Sequence, residues 1–325
     1  MKHRPMLATA VVALLTLATG ASAGSPALPA LQAAGHITFT AQETYPESVT
    51  FSASTQRFLV SSVRHGTIGT VTADGRYAPF ITDKTLVSSV GLVVDDARNV
   101  LWVANADPGA GDRTQPATQG KLAGVATYDA TSGKPLAYYD LGSLSAGSHF
   151  ANDIALDGDG GAYVTDSFAP VIYRIDAHGK ASIYARDARF HTADGFNLNG
   201  IAWHPDGYLL VGKYNSGELF RVSTRDPADI QPVQLPEALK GADGFQLLDS
   251  QHLIVVQNLG ADRTVELVST DGWKTATLAR QLKSIASMPT AATRIGNQVY
   301  VLNGRLDTLF DPAADKVSDY LLQKF

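Results

Sequence analysis

Glu47, Asn152, Asn199 and Asp243 are oxygen-bearing side chains that recur at one place in a repeated segment of this 325-residue chain. Each stands four residues ahead of a unit that runs as a polar turn, an alternating apolar strand and a small or polar end. In the two remaining units the same offset falls on Val90 and Pro289. Any one Asn or Asp ahead of a strand is ordinary turn chemistry. Two carboxylates and two amide carbonyls repeated in register would converge on one axis and form a hard, all-oxygen donor set. Such a set suits calcium, with its flexible coordination. Magnesium demands stricter octahedral geometry, and zinc more usually recruits His or Cys. Two negative ligands would balance a dication.

The elements that must position these groups follow from the repeat. Its six units begin at Phe51, Val94, Leu156, Trp203, Leu247 and Thr293, at intervals of 43, 62, 47, 44 and 46 residues. A period of about 45 residues matches one four-stranded propeller blade. The sequence therefore predicts an all-β, six-bladed β-propeller with a central metal channel, bordered where the innermost strands begin. The long interval has a local cause, the turn-rich run Ala106 to Gly120 (ADPGAGDRTQPATQG). In the third unit, alternation predicts strands over 152–156, 162–165, 171–176 and 182–185, with turns at Asp157-Gly158-Asp159-Gly160 and His178-Gly179. No stretch shows sustained helical periodicity. Closure needs a joint, so His36 to Thr44 or Val317 to Phe325 should complete the other's blade and leave no sheet edge open.

Composition narrows the class. Hydrophobic residues at 45% and charged residues at 18% fit a globular chain, and 29 glycines with 15 prolines favour tight turns over long helices. A net charge of -5 offers no basic field for nucleic acid or an anionic membrane. The absence of cysteine removes disulfides, thiolate catalysis and cysteine-ligated zinc. Lys2, His3 and Arg4, an apolar run from Met6 to about Thr19, and Ala21-Ser22-Ala23 read as a signal peptide over 1–23. That leaves 24–325 as one propeller domain, exported to the periplasm or the medium, with no stable membrane association after cleavage. Its expected partner is a small-molecule substrate, not nucleic acid.

Glu47, Asn152-Asp153, Asn199-Gly200 and Asp243-Gly244, in that order and spacing, resemble the senescence-marker-protein, gluconolactonase and luciferin-regenerating (regucalcin-like) family. That resemblance spans roughly Thr44 to Leu302. It implies a six-bladed propeller with one central divalent cation, ligated by Glu47, Asn199 and Asp243, with Asn152 beside it on metal or substrate. More distantly the chain is similar to the paraoxonases, through Asn152-Asp153-Ile154 and Asn199-Gly200-Ile201. Where that family carries a histidine opening its second blade, this chain reads Ser88-Ser89-Val90-Gly91.

The function expected is metal-dependent hydrolysis of a lactone or related ester, with a channel-bound divalent cation, calcium by its ligand chemistry, polarising the carbonyl. Asp243 is the expected ligand that also accepts a water proton, with His149 the rival base. Asn152 and Arg64 are candidate substrate contacts, with His65 following Arg64. Asp153 is a candidate to orient the site, and Asp166 and Lys213 a candidate ion pair. The alternatives are a non-catalytic, calcium-stabilised propeller that binds a small molecule or a protein, and a bond-forming enzyme of the strictosidine-synthase type.

Overall fold

Each repeat builds one antiparallel sheet. In the third, strands Ala151–Leu156, Ala162–Asp166, Val171–Ile175 and Ala181–Arg186 pair in sequence order, within one residue of the expected limits. The turn between the first two is held by Asp157, whose Oδ1 accepts the N–H of Asp159 (2.9 Å) and of Gly161 (2.7 Å). Gly160 takes φ 92° there, a conformation costly to any residue with a Cβ. The computed structural model describes residues 35–193 and 195–325; the expected leader, 1–23, lies outside them.

Six such four-stranded sheets form the described chain. The innermost strands are Val49–Ser52, Ser88–Asp95, Ala151–Leu156, Leu198–His204, Ala242–Leu247 and Pro289–Ile295, and they contact one another in ring order, the first meeting the last. This is the six-bladed propeller expected. The joint is made by the N-terminal strand Ile37–Thr40, which becomes the outer strand of blade six by pairing antiparallel with Asp319–Lys324. Alternation sets its faces: Ile37 and Phe39 are buried, while Thr38 and Thr40 are exposed. The Phe39 ring packs 5.5 Å from that of Tyr320. Each such fully buried side chain contributes roughly 1.5–3 kcal/mol.

Apolar layers between neighbouring blades form the core. Tyr163, Ile172, Leu209, Val211 and Phe220, all nearly inaccessible, fill the space between blades three and four. Two connections on the face where the inner strands begin depart from the short turns elsewhere. The first is the 106–120 insertion, organised around buried Asp107. That carboxylate accepts from Gly109 N (2.8 Å), Thr114 Oγ1 (2.7 Å) and Thr118 Oγ1 (2.6 Å). The second joins Gln298–Asn303 to Asp319–Lys324 in blade six and carries the helix α1 (Leu306–Phe310). Lys316 Nζ donates to the carbonyls of Thr308, Leu309 and Asp311, satisfying oxygens that the end of a helix leaves without partners.

Candidate metal centre

The repeat places its polar residues through β-bulges. In blade three, Ala151 opposes Asp166 and Ile154 opposes Val164, so Asn152 and Asp153 together face a single partner residue. The same one-residue excess falls on Asn199-Gly200 in blade four and Asp243-Gly244 in blade five. It falls on Val90-Gly91 in blade two as well. A bulge kinks the strand and re-aims a side chain that regular pleating would send between sheets. Here it turns the first residue of each pair into the channel. Glu47 lies just ahead of its strand instead, fixed where Ser61 Oγ accepts both Glu47 N (3.1 Å) and Ser48 N (2.8 Å).

The glycines that follow have a steric reason. A Cβ on Gly200 would lie 2.0 Å from the backbone oxygen of Asp243, and one on Gly91 would lie 2.3 Å from that of Asn152. Neighbouring inner strands approach too closely there for any side chain.

Glu47, Asn152, Asn199 and Asp243 all line one cavity of about 80 Å³ at the channel mouth. Their hydrogen bonds leave one oxygen apiece free. Asn152 Nδ2 donates to Ser167 Oγ (2.9 Å), which donates on to Leu198 O (2.6 Å), and this turns Asn152 Oδ1 away from the strand. Asp243 Oδ2 accepts from Asn258 Nδ2 (2.5 Å), and Asn258 Oδ1 accepts from the Tyr214 hydroxyl (2.6 Å). Glu47 Oε2, Asn152 Oδ1, Asn199 Oδ1 and Asp243 Oδ1 are buried with no hydrogen-bond partner. Buried polar atoms are nearly always paired, so four orphaned oxygens in one cavity form a donor set that fits a hard cation. Among the described residues no cluster of three or more His, Cys, Asp and Glu side chains gathers. The convergence is two carboxylates with two amides.

Electrostatics point the same way. Burial pushes Asp243 up to about 8, with Asp153 adding to the rise and the bond from Asn258 opposing it. Glu47 is raised well above the ordinary carboxylate range, by burial first and then by the charges of Asp243 and Asp153. Burial alone lifts Asp153 to about 7. No Lys, Arg or His lines the cavity to offset these charges.

The remaining expected residues fall elsewhere. His149 is buried away from the cavity lining. Its Nδ1 meets Asp166 Oδ2 at 2.8 Å and its Nε2 meets Ser145 O at 2.8 Å, so neither nitrogen is free to serve as a base. Asp166 pairs with His149 and accepts from Tyr173, while Lys213 donates to Arg189 O (2.9 Å) and lies 3.6 Å from Glu218. The expected Asp166–Lys213 pair does not form, because each group is already satisfied by other partners. Arg64 pairs with Glu43 and Asp112 in a hollow beside the cavity that shares Phe310 with it, and His65 joins the same Asp112. Asp153 makes no hydrogen bond to the four donors. Its Oδ1 accepts from Ile154 N (2.9 Å), and it lines a second chamber of about 70 Å³ further along the channel.

Ser167, Tyr214 and Asn258 carry no signal in their spacing from the channel donors, yet each stands eleven residues after a unit start, Leu156, Trp203 and Leu247 respectively. The end of the second strand supports the start of the first, and the last repeat position was the signal for them. Phe196, Leu306 and Phe310, which wall the cavity, lie in connections with no repeat to mark them.

No family model and no curated protein matches the chain. Solved structures match its fold. The major allergen Mala s 1 of Malassezia sympodialis superposes with a TM-score of 0.71 at 19% identity, covering 89% of this chain and 95% of that one. A luciferin-regenerating enzyme gives 0.61 at 15%, covering 89% and 95%. A gluconolactonase from Xanthomonas campestris gives 0.60 at 14%, covering 88% and 89%. A luciferin-regenerating enzyme and a gluconolactonase, both of the first family that the channel motifs resemble, are thus among the structural neighbours, and the likeness is one of architecture.

Proposed function

We propose that the chain is a divalent-cation-dependent hydrolase of lactones or related esters. The observation that carries this reading is the set of four orphaned oxygens, on Glu47, Asn152, Asn199 and Asp243, at the floor of a cavity open to the channel mouth. These residues would hold the cation, and calcium fits their oxygen chemistry best. When bound, the cation would polarise the substrate carbonyl and stabilise the developing oxyanion. Asp243 presents Oδ1 to the cavity while Asn258 fixes Oδ2, so Asp243 is the group placed to accept a proton from an attacking water. Asn152, held by Ser167, orients the substrate or completes the donor set. The N-terminal pattern supports an exported protein, which would meet calcium at concentrations that weak extracellular sites use.

The test is hydrolysis of a panel of lactones with calcium and with chelator, for the wild type, Glu47→Gln and Asp243→Asn. Turnover abolished by chelator, restored by calcium and lost in both variants is the result expected. The second reading, a calcium-stabilised binding propeller, draws on one feature: Glu47 and Asp243 are the only carboxylates in the cavity lining, and His149 is committed elsewhere. Under that reading calcium would raise the melting temperature and no lactone would turn over.

A further inference from the structure

We propose that the channel-mouth cavity takes a substrate with an apolar, alkyl- or aryl-bearing body, and that Phe196 and Phe310 select it against polyhydroxylated lactones; the choice of reaction rests on the hydrolase reading above, but the choice of ligand rests on the walls. Thirteen residues line the cavity, and nine of them are apolar or aromatic. The other four are the oxygen donors on the floor. Side-chain donors in the lining are few, and the Tyr214 hydroxyl is the one among the nine apolar or aromatic residues. Asn152 Nδ2 donates to Ser167 Oγ, and the Tyr214 hydroxyl donates to Asn258 Oδ1. A sugar lactone carries a hydroxyl on almost every ring carbon. Set against these walls, those hydroxyls would lose water and find no partner, each at a penalty on the order of tenfold in affinity.

An apolar body has the opposite fit. Phe150, Phe196 and Tyr214 form an edge-to-face cluster on one wall, with Phe150–Phe196 centroids at 5.1 Å and Phe196–Tyr214 at 6.3 Å. Met288, Leu306 and Phe310 are also part of the apolar lining. Phe196 also borders a trough with Phe168, and Phe310 borders the hollow that holds Arg64. Each ring therefore stands between the cavity and a neighbouring hollow. A reacting carbonyl at the donors and an apolar tail leaving past either ring is the arrangement these walls accept. Phe310 is 47% exposed on α1, so its ring is accessible to a tail that leaves the cavity past it.

The experiment compares γ-nonalactone with glucono-1,5-lactone as substrates of the calcium-loaded protein. Nonanoate and gluconate are compared in parallel as ligands by calorimetry. Each buried methylene contributes on the order of fourfold, so three or four of them predict about a hundredfold preference for the alkyl compounds. Phe310→Ser, at a half-exposed site that leaves the core intact, and Phe196→Ser should each cut that preference about tenfold, chiefly in KM or Kd. Equal or better use of the gluconate pair would overturn the inference, and so would failure to bind either acid. Binding of nonanoate over gluconate that depends on both rings, with no turnover of either lactone, would sink the hydrolase and leave the apolar ligand standing.

Discussion

Replacing Asp243 with Asn should stabilise the cation-free protein while abolishing its response to calcium. An ordinary aspartate ionises near 3.8, and Asp243 is pushed up to about 8 by burial beside other carboxylates. Without a cation, folding at pH 7 must protonate this group or bury its charge. At about 1.4 kcal/mol per pH unit, the distance from 3.8 to 7 amounts to about 4 kcal/mol. Asparagine keeps the shape and still accepts from Asn258 Nδ2, but that bond loses its charge assistance, roughly 1 kcal/mol. A net gain of about 2–3 kcal/mol remains, which raises the melting temperature in chelator by about 5–10 °C. Calcium at a hundred times its Kd should add about 2.7 kcal/mol to the wild type and almost nothing to the variant. Paired thermal melts in chelator and in calcium read both effects. A variant that melts below the wild type in chelator, or one that keeps the full calcium shift, would refute the reasoning.

The raised carboxylates also set a pH dependence. A group whose folded pKa lies above its unfolded value favours the fold at low pH, and that contribution is lost as pH rises through the folded value. The chelated protein should therefore lose stability between about pH 4 and 8, and the melting shift produced by calcium should grow over the same range; a shift independent of pH would count against Asp243 and Glu47 as its origin. Gly200→Ala should cost about 1–3 kcal/mol by overpacking and weaken calcium binding, because its Cβ drives into the Asp243 backbone; an unchanged Kd would show that the strand can yield without moving the donor. His149→Gln should lower stability by about 1–3 kcal/mol through its bond to Asp166 while leaving the calcium shift intact, and loss of that shift would restore His149 to the site. Phe39→Ala, in the closing strand, should cost about 3–5 kcal/mol, and a neutral result in a denaturant melt would mean the joint contributes little.

The repeat made most of this legible in advance. Its period gave six blades, and its fourth-residue offset picked out four oxygen-bearing side chains that line one cavity, three of them because a bulge recurs at the same register of the inner strand. The bulge itself is invisible in sequence, since one extra residue in a strand leaves no mark on an alternation already broken by Asn-Gly. His149 drew attention as a titratable group three residues from Asn152, but side chains that close in sequence need not share a face: the intervening turn sends it towards Asp166 within the blade. Asp166 and Lys213 occupy equivalent strand ends, and equivalence across blades is not contact. The cavity walls escaped notice because Leu306 and Phe310 come from a connection that obeys no repeat.

The closing strand bears on how the molecule comes into being. Thr40 and its partner Asp319 are 279 residues apart in the chain, so Ile37–Thr40 is made long before Asp319–Lys324. The earliest strand of the described chain must wait for the final one, and until then the last blade is a strand short and two edges of the ring lie bare. Closing so long a loop is entropically slow, and bare strands pair readily with other chains. A nascent chain paused before residue 319 could fold individual blades but could not seal them into a ring. Its vulnerability to aggregation would therefore persist until Asp319–Lys324 emerges and collapse in a single step when that strand pairs with Ile37–Thr40.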